Sequence, residues 1–255
     1  MRAIDIHTHP ILRDDNRDRA GAAQLIRRAR AHGIRHIVAL GDVLGFGPRP
    51  TAKQLRIIND ETFWLMQRYP GYVTGFCYVN PRLGARAVTR EIERCAVRGF
   101  RGIKLEIANN ARDACMRPVM VAAEKHGLVV LQHAWSMTKI KQRSFHTDPE
   151  DVATLARRFP CVRLIMAHLT GCGVRGVLAV KDCANVVVDT SGAAPEAGLV
   201  EYAVAQLGAE RVLYGSDAPI RDFAVALARI TGTQLDARAQ RKILHDNERA
   251  LLRLP

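Results

Sequence analysis

Reactive side chains recur at one kind of place in this sequence, the last residues of short apolar runs. One run ends His7-Thr8-His9 and another Lys104-Leu105-Glu106; three more end Gln132-His133, Ala167-His168 and Ser216-Asp217. Imidazoles and carboxylates are the donors that Zn²⁺ and related divalent ions take. They are also the groups that move protons near neutral pH. Residues two apart in a strand share a face, so His7 and His9 can both point inward around Thr8. Lys104 and Glu106 can do the same around Leu105, with Lys104 the deeper. Charged groups turned into an apolar interior are costly without compensation, and a metal ion compensates. Each piece alone has an ordinary explanation. A His-x-His is a weak signal, a lone His133 or His168 reads as a hydrogen-bonded core residue, and Asp217 could cap a turn. The joint pattern points to a metal-containing site.

The elements that must position these residues are regular. Strand-like runs fall at 3–7, 36–40, 72–79, 102–106, 128–133, 162–168, 186–189 and 212–217. Most are rich in Val, Ile and Leu, as parallel strands covered on both faces should be. Helical patterns lie between them, near 17–32, 51–69, 84–98, 111–126, 149–159, 172–183, 195–208 and 221–231, with a terminal helical region at 236–253. His32-Gly33, Arg98-Gly99, His126-Gly127 and Leu207-Gly208 read as helix ends, and Thr147-Asp148-Pro149-Glu150 as a capped start. Eight βα units predict an α/β fold, a single-domain (β/α)8 TIM barrel over residues 1–255. A doubly wound open sheet is the runner-up. The barrel also explains the polar strand ends, because those ends form the rim where active sites lie.

Length and composition agree. The chain has 255 residues, 48% hydrophobic and 25% charged, which excludes a disordered chain, a collagen and a coiled coil. Lys and Arg number 38 against 25 Asp and Glu, a net charge of +13, and 31 of the 38 are Arg. A basic balance suggests nucleic acid or an acidic substrate. The arginines, however, are scattered through helical stretches, with no block of like charge and no interleaved aromatics, so nucleic acid is disfavoured as a partner. Six cysteines without a CxxC pair suggest reduced thiols and a cytoplasmic setting. No apolar stretch approaches the roughly 18 residues of a membrane span, and Met1-Arg2-Ala3-Ile4-Asp5 does not read as a secretory leader.

The quoted motifs resemble the amidohydrolase superfamily, in the branch that includes aminocarboxymuconate semialdehyde decarboxylase and many small metal-dependent hydrolases. The stretches are Ile4-Asp5-Ile6-His7-Thr8-His9, Gly99-Phe100-Arg101-Gly102-Ile103-Lys104-Leu105, Leu131-Gln132-His133-Ala134, Ile165-Met166-Ala167-His168-Leu169 and Leu213-Tyr214-Gly215-Ser216-Asp217-Ala218-Pro219. Ile243-Leu244-His245-Asp246-Asn247 is similar to the family's closing helix. The resemblance implies a distorted barrel in which His7, His9, His133 and Asp217 are metal ligands. It makes His168 a catalytic base or acid in a one-metal site and a ligand in a two-metal site. Glu106 stands where many relatives of this branch have His. It could bridge two ions, hold one, or bind substrate, so one or two ions are open. Zn²⁺ is the first expectation and Mn²⁺ the second.

The expected chemistry is hydrolysis of an amide, ester or lactone-like bond in a small substrate. Asp217 would take the proton of water, His168 would exchange a proton with substrate, and Lys104 would meet developing oxyanion charge. The loop at 134–148 carries Trp135, Lys139, Lys141, Arg143 and His146, and the loop after the second run carries Arg49. Trp135, His146 and Arg49 are the substrate-binding expectations. The alternative is non-oxidative decarboxylation of an aromatic or enoic acid, against which the short chain counts. A TatD-type nuclease is third, suggested by the charge and by a fourth-run Glu. Cys172 lies four residues past His168, but no partner completes a Cys–His nucleophile. A homo-oligomer is left open.

Overall fold

Short Val-, Ile- and Leu-rich runs between amphipathic helices can bury both faces only if helices cover the outside of a closed sheet and side chains fill its inside. The computed structural model, which describes residues 2–10, 19–42, 45–106, 109–136, 146–193 and 196–255, has that arrangement. Its strands are β1 (Ala3–Thr8), β2 (Ile34–Ala39), β3 (Val73–Tyr78), β4 (Gly102–Leu105), β5 (Val129–Gln132), β6 (Leu164–Met166), β7 (Val186–Asp189) and β8 (Val212–Leu213). They pair in parallel in chain order. β8 returns to β1 through Ile6 N–H to Tyr214 O at 3.0 Å, Asp217 N–H to His7 O at 2.8 Å and His9 N–H to Ala218 O at 2.7 Å. The helices are α1 (Arg19–Ala31), α2 (Ala52–Arg68), α3 (Ala85–Val97), α4 (Met116–His126), α5 (Pro149–Arg158), α6 (Leu169–Val180), α7 (Leu199–Leu207), α8 (Phe223–Thr231), α9 (Ala237–Arg241) and α10 (Asn247–Leu252). The chain is a single-domain (β/α)8 TIM barrel. Among the described residues no helix is long and apolar enough to cross a membrane.

Local chemistry sets the boundaries. Gly33, Gly99, Gly127 and Gly208 all have positive φ at helix ends, as the sequence suggested. Asp148 precedes Pro149 at the start of α5, and its N–H reaches Asp151 Oδ2 at 3.0 Å. Four boundaries differ clearly from the sequence expectation. The sixth and eighth strands stop early, because His168 (φ 66°) and Asp217 (φ 63°) adopt left-handed backbone and leave the ladder. α4 begins at Met116, because Asn110 Nδ2 ties its turn to His146 O at 2.8 Å and to Asp151 Oδ2 at 2.7 Å. α6 begins at Leu169 and kinks at Gly173.

Two apolar layers result. One lies between strands and helices; the other fills the barrel with Ile6, Val38, Phe76, Leu131, Ile165 and Val187. Leu252 joins the inner layer, with Leu251 and Leu254 against it. Beside Phe100 and Leu128, which precede β4 and β5, these leucines close the barrel floor.

A bulge in β1 then does something that alternation cannot. Asp5 pairs with Ile37 and Thr8 with Ala39, so β1 spends one more residue than β2 over the same span. Ile6 therefore joins the inner layer while His7, next in sequence, also reaches the barrel mouth. Phe76→Ala should cost about 3–5 kcal/mol by opening a cavity in the inner layer. The denaturant midpoint would fall at unchanged slope; a change below about 1 kcal/mol would mean that this layer is not packed.

Candidate metal centre

His7 and His9 leave the bulged end of β1 fully buried and face Asp217 across the seam with β8. His7 Nδ1 lies 2.9 Å from Asp189 Oδ2, and His9 Nδ1 lies 3.0 Å from the Gly41 carbonyl oxygen. Both partners only accept, so each Nδ1 carries a hydrogen, and in the neutral ring Nε2 keeps the lone pair. Each of these Nε2 atoms lies 3.5 Å from Asp217 Oδ1. His7 Nε2 is buried with no hydrogen-bond partner at all. Gly215 makes the approach of β8 tolerable: a Cβ there would come within 3.0 Å of His7 Cβ and 3.2 Å of the Asp189 carboxyl.

The other histidines obey the same rule. Ser191 Oγ donates a short hydrogen bond to Asp189 Oδ1, so it accepts from His168 Nδ1 at 2.9 Å. His133 Nδ1 lies 2.8 Å from Glu106 Oε1 and donates to it. The same Nδ1 is 3.2 Å from His168 Nε2. Glu106 Oε2 takes the fully buried Lys104 Nζ at 3.0 Å. A continuous row thus runs round the mouth from Lys104 through Glu106, His133, His168, Ser191 and Asp189 to His7. All four imidazoles hold their hydrogen on Nδ1 against a fixed oxygen and keep Nε2 as a base. Carboxylates or carbonyls behind ligating imidazoles are the usual outer support of a metal site.

Electrostatics favour the neutral ring at His7 and His168. Burial lowers the His7 pKa, with Asp189 opposing, and burial plus the neighbouring His133 and His7 pushes His168 well below the ordinary imidazole range. Burial acts against the Asp217 charge, and positive charge at the positions of His9, His7 and His168, from the rings themselves or from a cation held among them, is what holds the carboxyl below its usual range. Asp189 is held low in the same way, burial being overcome by His7. Lys104 and Glu106 offset each other. Asp5 accepts from His7 N–H at 3.1 Å and Ser216 N–H at 3.0 Å, and burial pushes its carboxyl up to about 7. Burial pushes the Cys172 thiol up, and its Sγ faces the Ala167 carbonyl at 3.7 Å, which removes it as a thiolate nucleophile.

The residues present fit a divalent ion. Two lone pairs and a carboxylate oxygen face one another with no hydrogen between them, a repulsive arrangement that a cation relieves. Donors held by one Zn²⁺ at about 2.0–2.2 Å in tetrahedral geometry stand about 3.4 Å apart, close to the 3.5 Å found. Asp189 and Asp217 leave two negative charges among neutral rings, which one divalent ion balances.

His7, His9 and Asp217 form one group of ligand atoms, and His7, His168 and Asp189 a second. His133 and Glu106 belong to neither and face each other and His168 one step away. The Trp135 ring lies 5.6 Å from that of His168, with its face on Gly171. His146 is anchored by its carbonyl to Asn110, and Arg49 is exposed in the loop after β2. Lys139, Lys141 and Arg143 lie outside the described residues. Asp189, Ser191 and the Gly41 carbonyl went unnoticed in the sequence. Asp189 ends the seventh apolar run, so the strand-end rule that found the other residues reaches it too; a carbonyl leaves no such trace.

A family model described as Amidohydrolase matches residues 4–254. No curated protein sequence matches the chain closely enough to count as a relative. Among solved structures, 5-carboxyvanillate decarboxylase from Sphingomonas paucimobilis is 16% identical with a TM-score of 0.77, the match covering 100% of this chain and 99% of that one. A dihydroxybenzoic acid decarboxylase from Polaromonas sp. JS666, with bound manganese and the inhibitor 2-nitroresorcinol, is 16% identical with a TM-score of 0.74, covering 99% and 96%. A protein provisionally described as a 2-pyrone-4,6-dicarboxylic acid hydrolase from Pseudomonas putida is 21% identical with a TM-score of 0.72, covering 99% and 97%. At these identities the likeness shows a common barrel. The family match runs almost from end to end and, with the His/His/Asp donor set, supports a divalent metal; the chain belongs to the amidohydrolase family.

Proposed function

We propose that the chain is a metal-dependent hydrolase that cleaves an amide, ester or lactone-like bond in a small anionic substrate. The observation that carries this reading is Asp217, an ionised carboxylate set 3.5 Å from two imidazole lone pairs at the barrel mouth. A divalent ion, Zn²⁺ first and Mn²⁺ second, supplies Lewis acidity when bound, polarising a substrate oxygen and acidifying water. His7, His9 and Asp217 would hold it, with His168 or His133 completing the set. Asp217 accepts the proton of the attacking water and passes it to the leaving group. His168, unprotonated on Nε2, is the second proton acceptor. The charge balance favours one ion, which leaves Glu106 to orient His133 and to neutralise Lys104. Lys104 lies below the site with its charge held against Glu106, and would meet developing oxyanion charge only as part of that pair.

Substrate enters on the β5 side, where the His133 side chain is 20% exposed. A group that reaches His168 there meets the flat face of Trp135. Arg49 and His146, on rim loops, are the further substrate-binding candidates. Several arginines on the outer helices are tied into ion pairs, among them Arg28–Asp222, Arg94–Glu91 and Arg175–Glu150. That disposition favours a small acid over a nucleic acid.

A second reading is non-oxidative decarboxylation of an aromatic or enoic acid. The observation in its favour is the likeness to two decarboxylases over 99% and 96% of their chains, which weakens the objection from length. His168 or Asp217 would then return a proton to the carbon that loses carbon dioxide.

Elemental analysis of purified protein should find one divalent ion per chain, and turnover on a panel of anionic esters, lactones and amides should stop on chelation and return with the ion. Full turnover after complete stripping would reject the reading. Asp217→Asn should lower kcat by about 10²–10⁴-fold with the fold intact, as expected for loss of a proton acceptor. Label from ¹⁸O water in the organic product marks hydrolysis; release of carbon dioxide with an unlabelled organic product marks the second reading. Asp189→Asn should weaken metal binding by about 10–100-fold in calorimetric titration, because His7 Nδ1–H loses its carboxylate.

A further inference from the structure

β8 is an odd strand on which to place a catalytic carboxylate. Its regular part is only Val212–Leu213, and the backbone beyond ends in the left-handed turn of Asp217. Such backbone persists only where its surroundings over-determine it. What holds this strand from outside is the C-terminal helix. The Tyr214 N–H is shared between Ile243 O at 2.9 Å and Glu248 Oε1 at 2.6 Å. Asn247 Nδ2 donates to Ala209 O at 2.7 Å and to Val212 O at 2.8 Å, gripping the chain at both sides of the strand start.

The helix is built to make this grip. Between α9 and α10 lies a π-helical turn, Lys242–Asp246, in which the Asn247 N–H bonds back to Lys242 O. That wider turn leaves the Ile243 carbonyl for Tyr214, and π turns of this kind gather at functional sites. Glu248 is fully buried, so no water competes for its oxygen. Tyr214 is in turn a hub. Its carbonyl accepts Ile6 N–H at 3.0 Å, one residue before His7, and Asp217 lies three residues on. Gly215 between them is wedged against His7 and Asp189. A shift of Tyr214 therefore moves Asp217 relative to both imidazoles.

We infer that Asn247 and Glu248 are positioning residues for Asp217: the clamp of α10 on β8 sets the spacing of the His7–His9–Asp217 donors, and so their affinity for a divalent ion. This rests on the metal-centre reading above. The competing explanation is that the tail merely packs against the barrel, as Leu252 does in its floor. The two explanations separate when Asn247→Ala, Glu248→Ala and Glu248→Gln are compared with Leu252→Ala.

Full-length protein stripped of metal is titrated with Zn²⁺ and with Mn²⁺ in a calorimeter, below the melting temperature of every variant. Asn247→Ala and Glu248→Ala should bind the ion about 10–100-fold more weakly, the range for loss of outer support at a metal site. Glu248→Gln keeps a carbonyl acceptor for Tyr214 N–H and should bind like wild type. Leu252→Ala should lower the melting temperature and leave affinity unchanged. Affinity equal to wild type in a folded Asn247→Ala, or affinity loss that simply tracks melting temperature across all four variants, overturns the clamp. Should Asn247→Ala fail to fold, the Glu248 pair decides. If wild type binds no ion, the metal reading fails, and amide exchange of the metal-free proteins still tests the clamp. Exchange should rise selectively from Tyr214 to Ala218 in Glu248→Ala; an even rise over all strands contradicts it.

Discussion

Two imidazole lone pairs and a carboxylate oxygen converge within 3.5 Å inside a barrel mouth, and this concentration of negative charge is what the surrounding structure has to sustain. Left free, the groups would turn apart or take up protons. Each imidazole is therefore fixed from behind: His7 by Asp189, His9 by Gly41 O, His133 by Glu106 and His168 by Ser191. The hydrogen bonds decide which nitrogen faces inward, and burial keeps His7 and His168 from charging. A cation is the species that turns this frustrated arrangement into a favourable one, and the family to which the chain belongs is consistent with that need.

The fold contributes backbone as much as side chains. A regular β1 would turn Ile6 and His7 to opposite faces, and the bulge brings both inside. Regular sixth and eighth strands would run past the rim, and left-handed turns at His168 and Asp217 break them there. Strain and burial are thus spent at the site, while ordinary packing of Ile, Val and Leu on both faces of the sheet stabilises the remainder. The same division separates the charges. Most of the arginines seen in ion pairs lie on outer helices, whereas the few charges inside are paired or face the proposed ion.

Much of this was legible in the sequence because it depends on periodicity. Runs rich in Val and Ile, glycine at helix ends and polar residues at strand ends gave the barrel and brought His7, His9, Lys104, Glu106, His133, His168 and Asp217 to one rim. Residues whose role depends on hydrogen bonding across the barrel were harder to see. Asp189 reads only as the end of a strand, and Ser191 carries no signal, because nothing local tells that their oxygens face His7 on β1 and His168 just past β6. The bulge was illegible for a related reason: a one-residue mismatch belongs to a pair of strands and has no signature in either one. Glu106 was open between bridging two ions, holding one and binding substrate, because its residue type alone does not choose; its two oxygens face Lys104 and His133, which no local pattern announces.

The central claim is that imidazole Nε2 atoms, unprotonated and aimed at Asp217, await a cation. Side-chain ¹⁵N NMR of the metal-free protein tests this most directly, repeated after one equivalent of Zn²⁺. The expected spectrum has hydrogen on Nδ1 of His7, His9, His133 and His168 before addition, and the Nε2 signals of His7 and His9 shift together as the ion binds. Hydrogen on Nε2 of His7 or His9 in the metal-free protein, or an ion that shifts neither signal, would contradict it.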